Sequence, residues 1–158
     1  MNVHTKDGKE TYVGKVSPVT YIEVSKNADY WLFYLRKEYV HTKREVDKLT
    51  IIGSDAIQAL ISYEYRENFL LIHYLESSPF NIGDQSELMI TPSILSTICM
   101  KSFHQGFDGF VAIHIKHVNT LIRHYRRFGA KMISKNRIYF DDVASNKLID
   151  VYLRKGER

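Results

Sequence analysis

Few side chains in this sequence stand where they could do chemistry, and each has a plain structural reading beside the chemical one. Cys99 is the only cysteine in 158 residues. It falls at an apolar position of a helical repeat (Ile94, Leu95, Ile98, Cys99), so it reads as an inert core thiol and not as a nucleophile. His114 and His117 have the spacing of a metal-ligand pair. They sit where a strand runs into a loop, their rings share no fixed direction, and no third ligand follows by spacing, so no metal site is expected. No G-x-S-x-G elbow, P-loop or dinucleotide fingerprint is present, which excludes phosphoryl and hydride transfer by those routes. A carboxylate and a phenol remain. Glu76 lies at the end of a strand expected in the middle of a sheet, where a carboxylate entering the sheet interior suits a general base near neutral pH. Tyr125 lies on a helix and offers a general acid. On spacing alone, a solvated strand-end Glu and a core Tyr with its hydroxyl at the rim is the stronger reading of the pair.

The charge is unevenly placed. The net charge is +4, from 22 basic and 18 acidic residues. Between His114 and Arg137 there are seven basic residues (Lys116, Arg123, Arg126, Arg127, Lys131, Lys135 and Arg137) and no acidic one, so the rest of the chain is net negative. Arg123, Arg126 and Arg127 share a helix face at i, i+3 and i+4. A phosphate-bearing ligand or a nucleic acid is the functional reading of that face, and a solvated helix surface is the plain one. The segment lacks the interleaved exposed aromatics of single-strand binders, which weighs against nucleic acid.

The elements that must position these residues are clearest from residue 56 onward. Ile57, Ala59, Ile61, Tyr63 and Tyr65 alternate as in a strand, Arg66-Glu67-Asn68 turn, and Phe69 to Ser77 return as a second strand. The second is apolar on both faces, which places it centrally. A loop, Phe80 to Glu87, leads to a helix from about Thr91 to Gln105, with Pro92 in its first turn and Gly106 at its stop. Gly109 to Ile115 is a short apolar strand. Val118, Leu121, Ile122 and Tyr125 mark a further helix ended by Gly129. A strand from about Arg137 to Phe140 precedes a last helix, Asp142 to about Arg154, capped by Asp141, with Ala144, Leu148, Val151 and Tyr152 inward. Earlier in the chain, Val19 to Val24 reads as a strand, Asp47 to Ile52 as another, and Tyr30 to Tyr39 fits either period. The order β-β-β-α-β-α-β-α implies helices interleaved with a mixed sheet.

Composition bounds the class. Hydrophobic residues at 44% and charged residues at 25% exclude a disordered or collagen-like chain. The length suits one domain, 1–158, with room for a packed core. The polar N-terminus is unlike a signal peptide, and no apolar run approaches the roughly 20 residues of a membrane helix. A cytoplasmic protein with no membrane association is the expectation.

Several segments together resemble the GCN5-related N-acetyltransferases. Leu121 to Ala130 (LIRHYRRFGA) is similar to their L-x-x-x-Y-x-x-x-G-F/A segment. GFDGFVAIHI resembles their fifth strand, and Ala56 to Ser77 their third and fourth. A bacterial subgroup carries E-S-A-P-x-N before the cofactor helix, read here as Glu76-Ser77-Ser78-Pro79-Phe80-Asn81. It also carries S-F-x-x-G-x-x-G-F-V, matched from Ser102 to Val111. The likeness spans about residues 56 to 153. It implies an α/β fold, a mixed and mostly antiparallel sheet flanked by helices. It also implies acetyl-CoA or CoA in a V-shaped opening beside the fourth strand, with the pantetheine arm along Leu75 to Ser77. In such enzymes Glu76 would deprotonate the acceptor amine and Tyr125 would protonate the departing thiolate, in a direct attack without a covalent intermediate.

The phosphate loop of that family, Q/R-x-x-G-x-G/A, is replaced here by Glu87-Leu88-Met89-Ile90-Thr91-Pro92. Glycines let the backbone approach phosphates, and the helix N-terminus supplies donors. Ile90 adds a branched side chain, Pro92 removes an N–H, and Glu87 adds negative charge. The resemblance puts Ile90, Thr91 and Ser93 at the cofactor, with Asn119 one residue out of the usual place. It also puts Arg123, Arg126 and Arg127 where they could hold phosphates as point charges. Two functions follow: acyl transfer from an acyl-CoA to an amine of unspecified small-molecule or protein origin, or a binding module on the same fold that has lost the cofactor. The Tyr30–Tyr39 run offers an apolar patch for a partner, a second copy included.

Overall fold

The computed structural model describes residues 1–31, 34–78, 80, 88–115, 123 and 125–153. Among them are nine strands: β1 (Asn2–Thr5), β2 (Thr11–Pro18), β3 (Arg44–Ile51), β4 (Ala59–Tyr65), β5 (Leu70–Ser77), β6 (Leu88–Met89), β7 (Val111–His114), β8 (Lys131–Ser134) and β9 (Arg137–Phe140). They form one mixed sheet, mostly antiparallel, in the order β6-β1-β2-β3-β4-β5-β7-β9-β8. The β5·β7 pair is parallel. Helices α1 (Tyr21–Asn27) and α2 (Leu35–Val40), joined through a 3-10 turn (Ala28–Tyr30), cover one face, and α3 (Thr91–His104) and α4 (Asp142–Tyr152) cover the other. None of these helices is long and apolar enough to cross a membrane.

The two faces have separate cores. Leu49, Ile61, Tyr63, Ile72, Ile94, Ile98, Phe140 and Leu148 join in the larger one, under α3 and α4. Val19, Val24, Trp31, Leu35, Val46 and Leu60 form the smaller one, under α1 and α2. Buried side chains of these sizes contribute on the order of 1.5–3 kcal/mol each, so both layers are held by burial. The sheet curls far enough for His4 on β1 to meet Tyr152 of α4, with ring centroids 5.4 Å apart.

The hairpin of residues 59–77, the helix from Thr91 and the Asp141 cap lie where the sequence predicts; the Asp141 carboxylate accepts from the Ala144 amide at 2.9 Å. Other expectations need correction. Val19 to Val24 is not a strand. Thr20 opens α1 with a reciprocal capping box: its hydroxyl accepts from the Glu23 amide, and the Glu23 carboxylate accepts from the Thr20 amide at 3.0 Å. That local pairing, present in the sequence as T-x-x-E, outweighs the β-branched composition of the segment. In the open stretch from Tyr30 to Tyr39, Tyr30 ends the 3-10 turn and Leu35 to Tyr39 form most of α2. Strands β1, β2, β6 and β8 were not anticipated. The inner face of α4 uses Ile149, whereas Val151 faces outward. Most of the loop to Glu87 and the start of the helix expected from Val118 lie outside the described residues; its end is helical at Arg123, Tyr125 and Arg126 and turns at Gly129 as expected.

Candidate functional site

The site is built on β5. Leu70, Leu71 and Ile72 are buried on both faces, which suits a central strand, and they pair with Val111, Ala112 and Ile113 of β7. That pairing stops at Ile72↔Ile113. Strand β7 stays with β9 through His114↔Arg137 and an Ile115 amide that donates to the Asn136 carbonyl at 2.6 Å, while β5 runs on to Ser77. Among the described residues β5 therefore runs on for five residues beyond its last partner in β7, which itself ends at His114. On the other side of β5, Tyr74 faces Ser62 and Ile72 faces Tyr63, so His73 is an inserted residue. Such a bulge bends the strand and sharpens its twist at the level where β7 departs.

A polar cluster lies beneath the bulge. The His73 ring meets the Glu64 carboxylate at 2.5 Å, and Arg66 meets Glu64 at 3.0 Å. One step deeper, Glu38 of α2, 1% exposed, takes two contacts from Arg44 at 2.6 and 2.9 Å and a bond from the Ser62 hydroxyl at 2.7 Å. Burial pushes the His73 imidazole below its ordinary pKa, against the opposing pull of Glu64. A neutral imidazole bridging to Glu64 therefore ties the bulge to β4.

Past the bulge, register assigns the faces. Glu76 pairs with Leu60 and Tyr74 with Ser62, which puts both on the α1/α2 side; Leu75 and Ser77, opposite Ile61 and Ala59, face α3 and α4. Glu76 is partly buried. Next to it on the same face, the buried Ser78 hydroxyl shares a 2.9 Å bond with the Tyr30 hydroxyl, whose ring packs edge-on against Trp31. The Trp31 indole N–H is buried with no acceptor among the described residues. Tyr30 and Tyr74 are thus neighbours of Glu76 that the sequence reading missed. The aromatic run from Tyr30 was the available signal, but its period did not say which face it would take.

Tyr125 lies in the other layer. It is 4% exposed and packs in the α3/α4 core, where burial holds its phenol protonated well above the ordinary range. The structure places β5 between Glu76 and Tyr125 and does not bring the two side chains onto one face. Gly129, just beyond, has φ +94°, and a Cβ there would lie 2.9 Å from that of Ala144, so the turn needs a glycine for both reasons. Arg126 and Arg127 are exposed and line a groove of about 300 Å³ with Lys147 and Tyr152. Asn119, Glu87 and His117 lie outside the described residues. Cys99 is buried, with its thiol pushed up to about 12 by that burial, as an inert core residue requires. Among the described residues no three His, Cys, Asp or Glu side chains converge on a metal position.

The start of α3 does not suit a pyrophosphate. Its N-cap is Ile90, itself buried and without a side-chain cap bond. Pro92 has no N–H. Ser93 is 0% exposed, and its hydroxyl donates to the Asn2 carbonyl of β1 at 2.7 Å. Met89, just before the helix, pairs with His4 of the same strand. Strand β1 therefore covers the helix end, and Thr91 is the one residue of the first three with both an amide hydrogen and partial exposure.

A groove of about 720 Å³ lies at the far end of β5, lined by Phe69, Phe107, Phe110, Ile133, Arg137 and Tyr139. It is remote from the bulge and from Glu76. The parted strands, not the volume of this groove, define the candidate site.

Comparison with known proteins bears on the fold. No family model matches the chain, and no curated protein matches it in sequence. Solved structures do match. An uncharacterised protein of Bacillus halodurans aligns with a TM-score of 0.69 at 10% identity, over 98% of this chain and 96% of its own. The ribosomal-protein-S18-alanine N-acetyltransferase of Escherichia coli gives 0.60 at 9% identity, over 80% of this chain and 91% of its own. The PaiA N-acetyltransferase of Thermoplasma acidophilum, solved in complex with coenzyme A, gives 0.59 at 9% identity, over 80% and 97%. The chain has the GCN5-related N-acetyltransferase fold. Likeness at these identities is likeness of fold, so the activity rests on the site itself.

Proposed function

We propose that the chain transfers an acyl group from a thioester to an amine where β5 leaves β7. The observation that carries this reading is the end of pairing at Ile72↔Ile113 beside the His73 bulge. It leaves room for an extended thioester arm along Leu75 to Ser77, and several of the solved neighbours are N-acetyltransferases. An amine entering from the α1/α2 side meets Tyr30, Tyr74 and Glu76. There Glu76 takes a proton from the attacking nitrogen as the C–N bond forms. The C–S bond breaks, and the Tyr125 hydroxyl supplies a proton to the sulfur from the opposite layer. Strand amides at the parting stabilise the developing oxyanion, and fixing both reactants there accounts for most of the rate.

The test is thiol release from S-acetyl donors with a panel of primary amines. Turnover that falls by about 100-fold or more in Glu76→Gln supports the reading. The closed start of α3 favours a second reading, a binding module that no longer takes a thioester. Absence of both binding and turnover with every donor would establish that one.

A further inference from the structure

The two halves of the candidate donor site disagree. In the half that would receive a pantetheine arm, β5 continues five residues beyond its last pairing with β7 among the described residues. The half that would receive a pyrophosphate is closed, because β1 and β6 cover the start of α3. Of the first three residues of α3, one lacks an N–H and one is wholly buried. A helix N-terminus binds phosphate through exposed amides and close backbone approach, and here only Thr91 combines an amide hydrogen with partial exposure. The branched Ile90 side chain is itself part of the larger core, so the closure is packed in place.

Resting on the acyltransferase reading, we infer that this chain recognises its donor through the pantetheine thioester alone, and that the nucleotide half of coenzyme A contributes nothing to binding. The substrate class is an acyl-pantetheine thioester, whether borne by coenzyme A or by the prosthetic arm of an acyl carrier. The exposed Arg126 and Arg127 then serve no phosphate of a bound donor. Tyr152, which lines their groove, touches His4, and His4 pairs with Met89 just before α3, so the arginine variant is the control for phosphates held there instead.

Binding to the unmodified protein tests this without turnover. Calorimetry would compare pantetheine with coenzyme A, using the wild type and Arg126→Ala/Arg127→Ala. Dissociation constants equal within about threefold for the two ligands, and unchanged in the variant, are the expected result. Coenzyme A binding at least about tenfold more tightly than pantetheine would overturn the inference while leaving the acyltransferase reading standing. Loss of that preference in the arginine variant would locate the phosphates on those side chains. Binding of neither ligand, with no turnover of either acetyl thioester, would overturn both statements together. An acetylated carrier used in the same amine assay separates the two sources: turnover with carrier and with acetyl-pantetheine supports the inference, and turnover with acetyl-CoA only contradicts it.

Discussion

Ile72 and Ile113 are the last residues at which β5 and β7 run together, and the bulged His73 follows Ile72 directly. The break in pairing and the insertion thus fall at one level of the sheet. Beside the strand ladder, a hydrogen bond between the His73 ring and the Glu64 carboxylate links that level to β4.

The pH dependence of stability follows from this pair. His73 has its pKa lowered by burial, among Glu64, Glu38, Arg44 and Arg66. As pH falls below the ordinary value of 6.5, the unfolded chain binds a proton that the folded chain resists. Stability therefore falls, with a limiting slope of about 1.4 kcal/mol per pH unit for one group. Denaturant midpoints between neutral and mildly acidic pH check this, and His73→Gln should flatten the slope over that window.

Asp47 behaves oppositely. It is buried, accepts from the Tyr63 hydroxyl at 2.8 Å, and has its carboxyl raised chiefly by burial, with Lys101 opposing. A folded-state pKa above the unfolded one makes the ionised group a liability at neutral pH, relieved as pH falls through the raised value. Asp47→Asn keeps an acceptor for Tyr63 without the buried charge. It should raise stability by about 1 kcal/mol at pH 7, with the gain shrinking in acid; thermal melts across that range decide it.

Gly129→Ala combines a left-handed backbone with a Cβ 2.9 Å from that of Ala144. Destabilisation of roughly 1–3 kcal/mol is expected, read from equilibrium unfolding.

For the chemistry, Glu76→Gln should lower kcat by about 100-fold or more, since the amide takes no proton from the attacking amine. Tyr125→Phe should lower kcat more than it changes KM for the amine, because the hydroxyl acts on the leaving sulfur and not on the acceptor. Steady-state kinetics over pH separate the two effects.

The sequence was most legible where one period dominated. The β4–β5 hairpin, α3 with Pro92 and Gly106, and the Asp141 cap were all readable because pattern and end signals agree. It was least legible before residue 50. Thr20 and Glu23 decide α1 through two hydrogen bonds that composition does not report, and β1 and β2 are held by pairing with distant β6 and β3. At the site, Glu76 was visible as a strand-end carboxylate. The bulge at His73 was not, because a bulge depends on the facing strand. The closure of α3 was legible in part: Ile90 and Pro92 show the missing phosphate cradle, whereas the Ser93 to Asn2 bond spans 91 residues and needs the fold.

The central claim, that the parting of β5 and β7 holds the donor, is tested most directly by amide chemical shifts during titration with pantetheine. The account predicts that the largest changes fall on residues 73–77 and on Ile113 to Ile115, with the start of α3 unmoved. Saturating binding that shifts the amides around Phe69, Phe110 and Tyr139, or those of Ile90 to Ser93, and leaves residues 73–77 in place would contradict it.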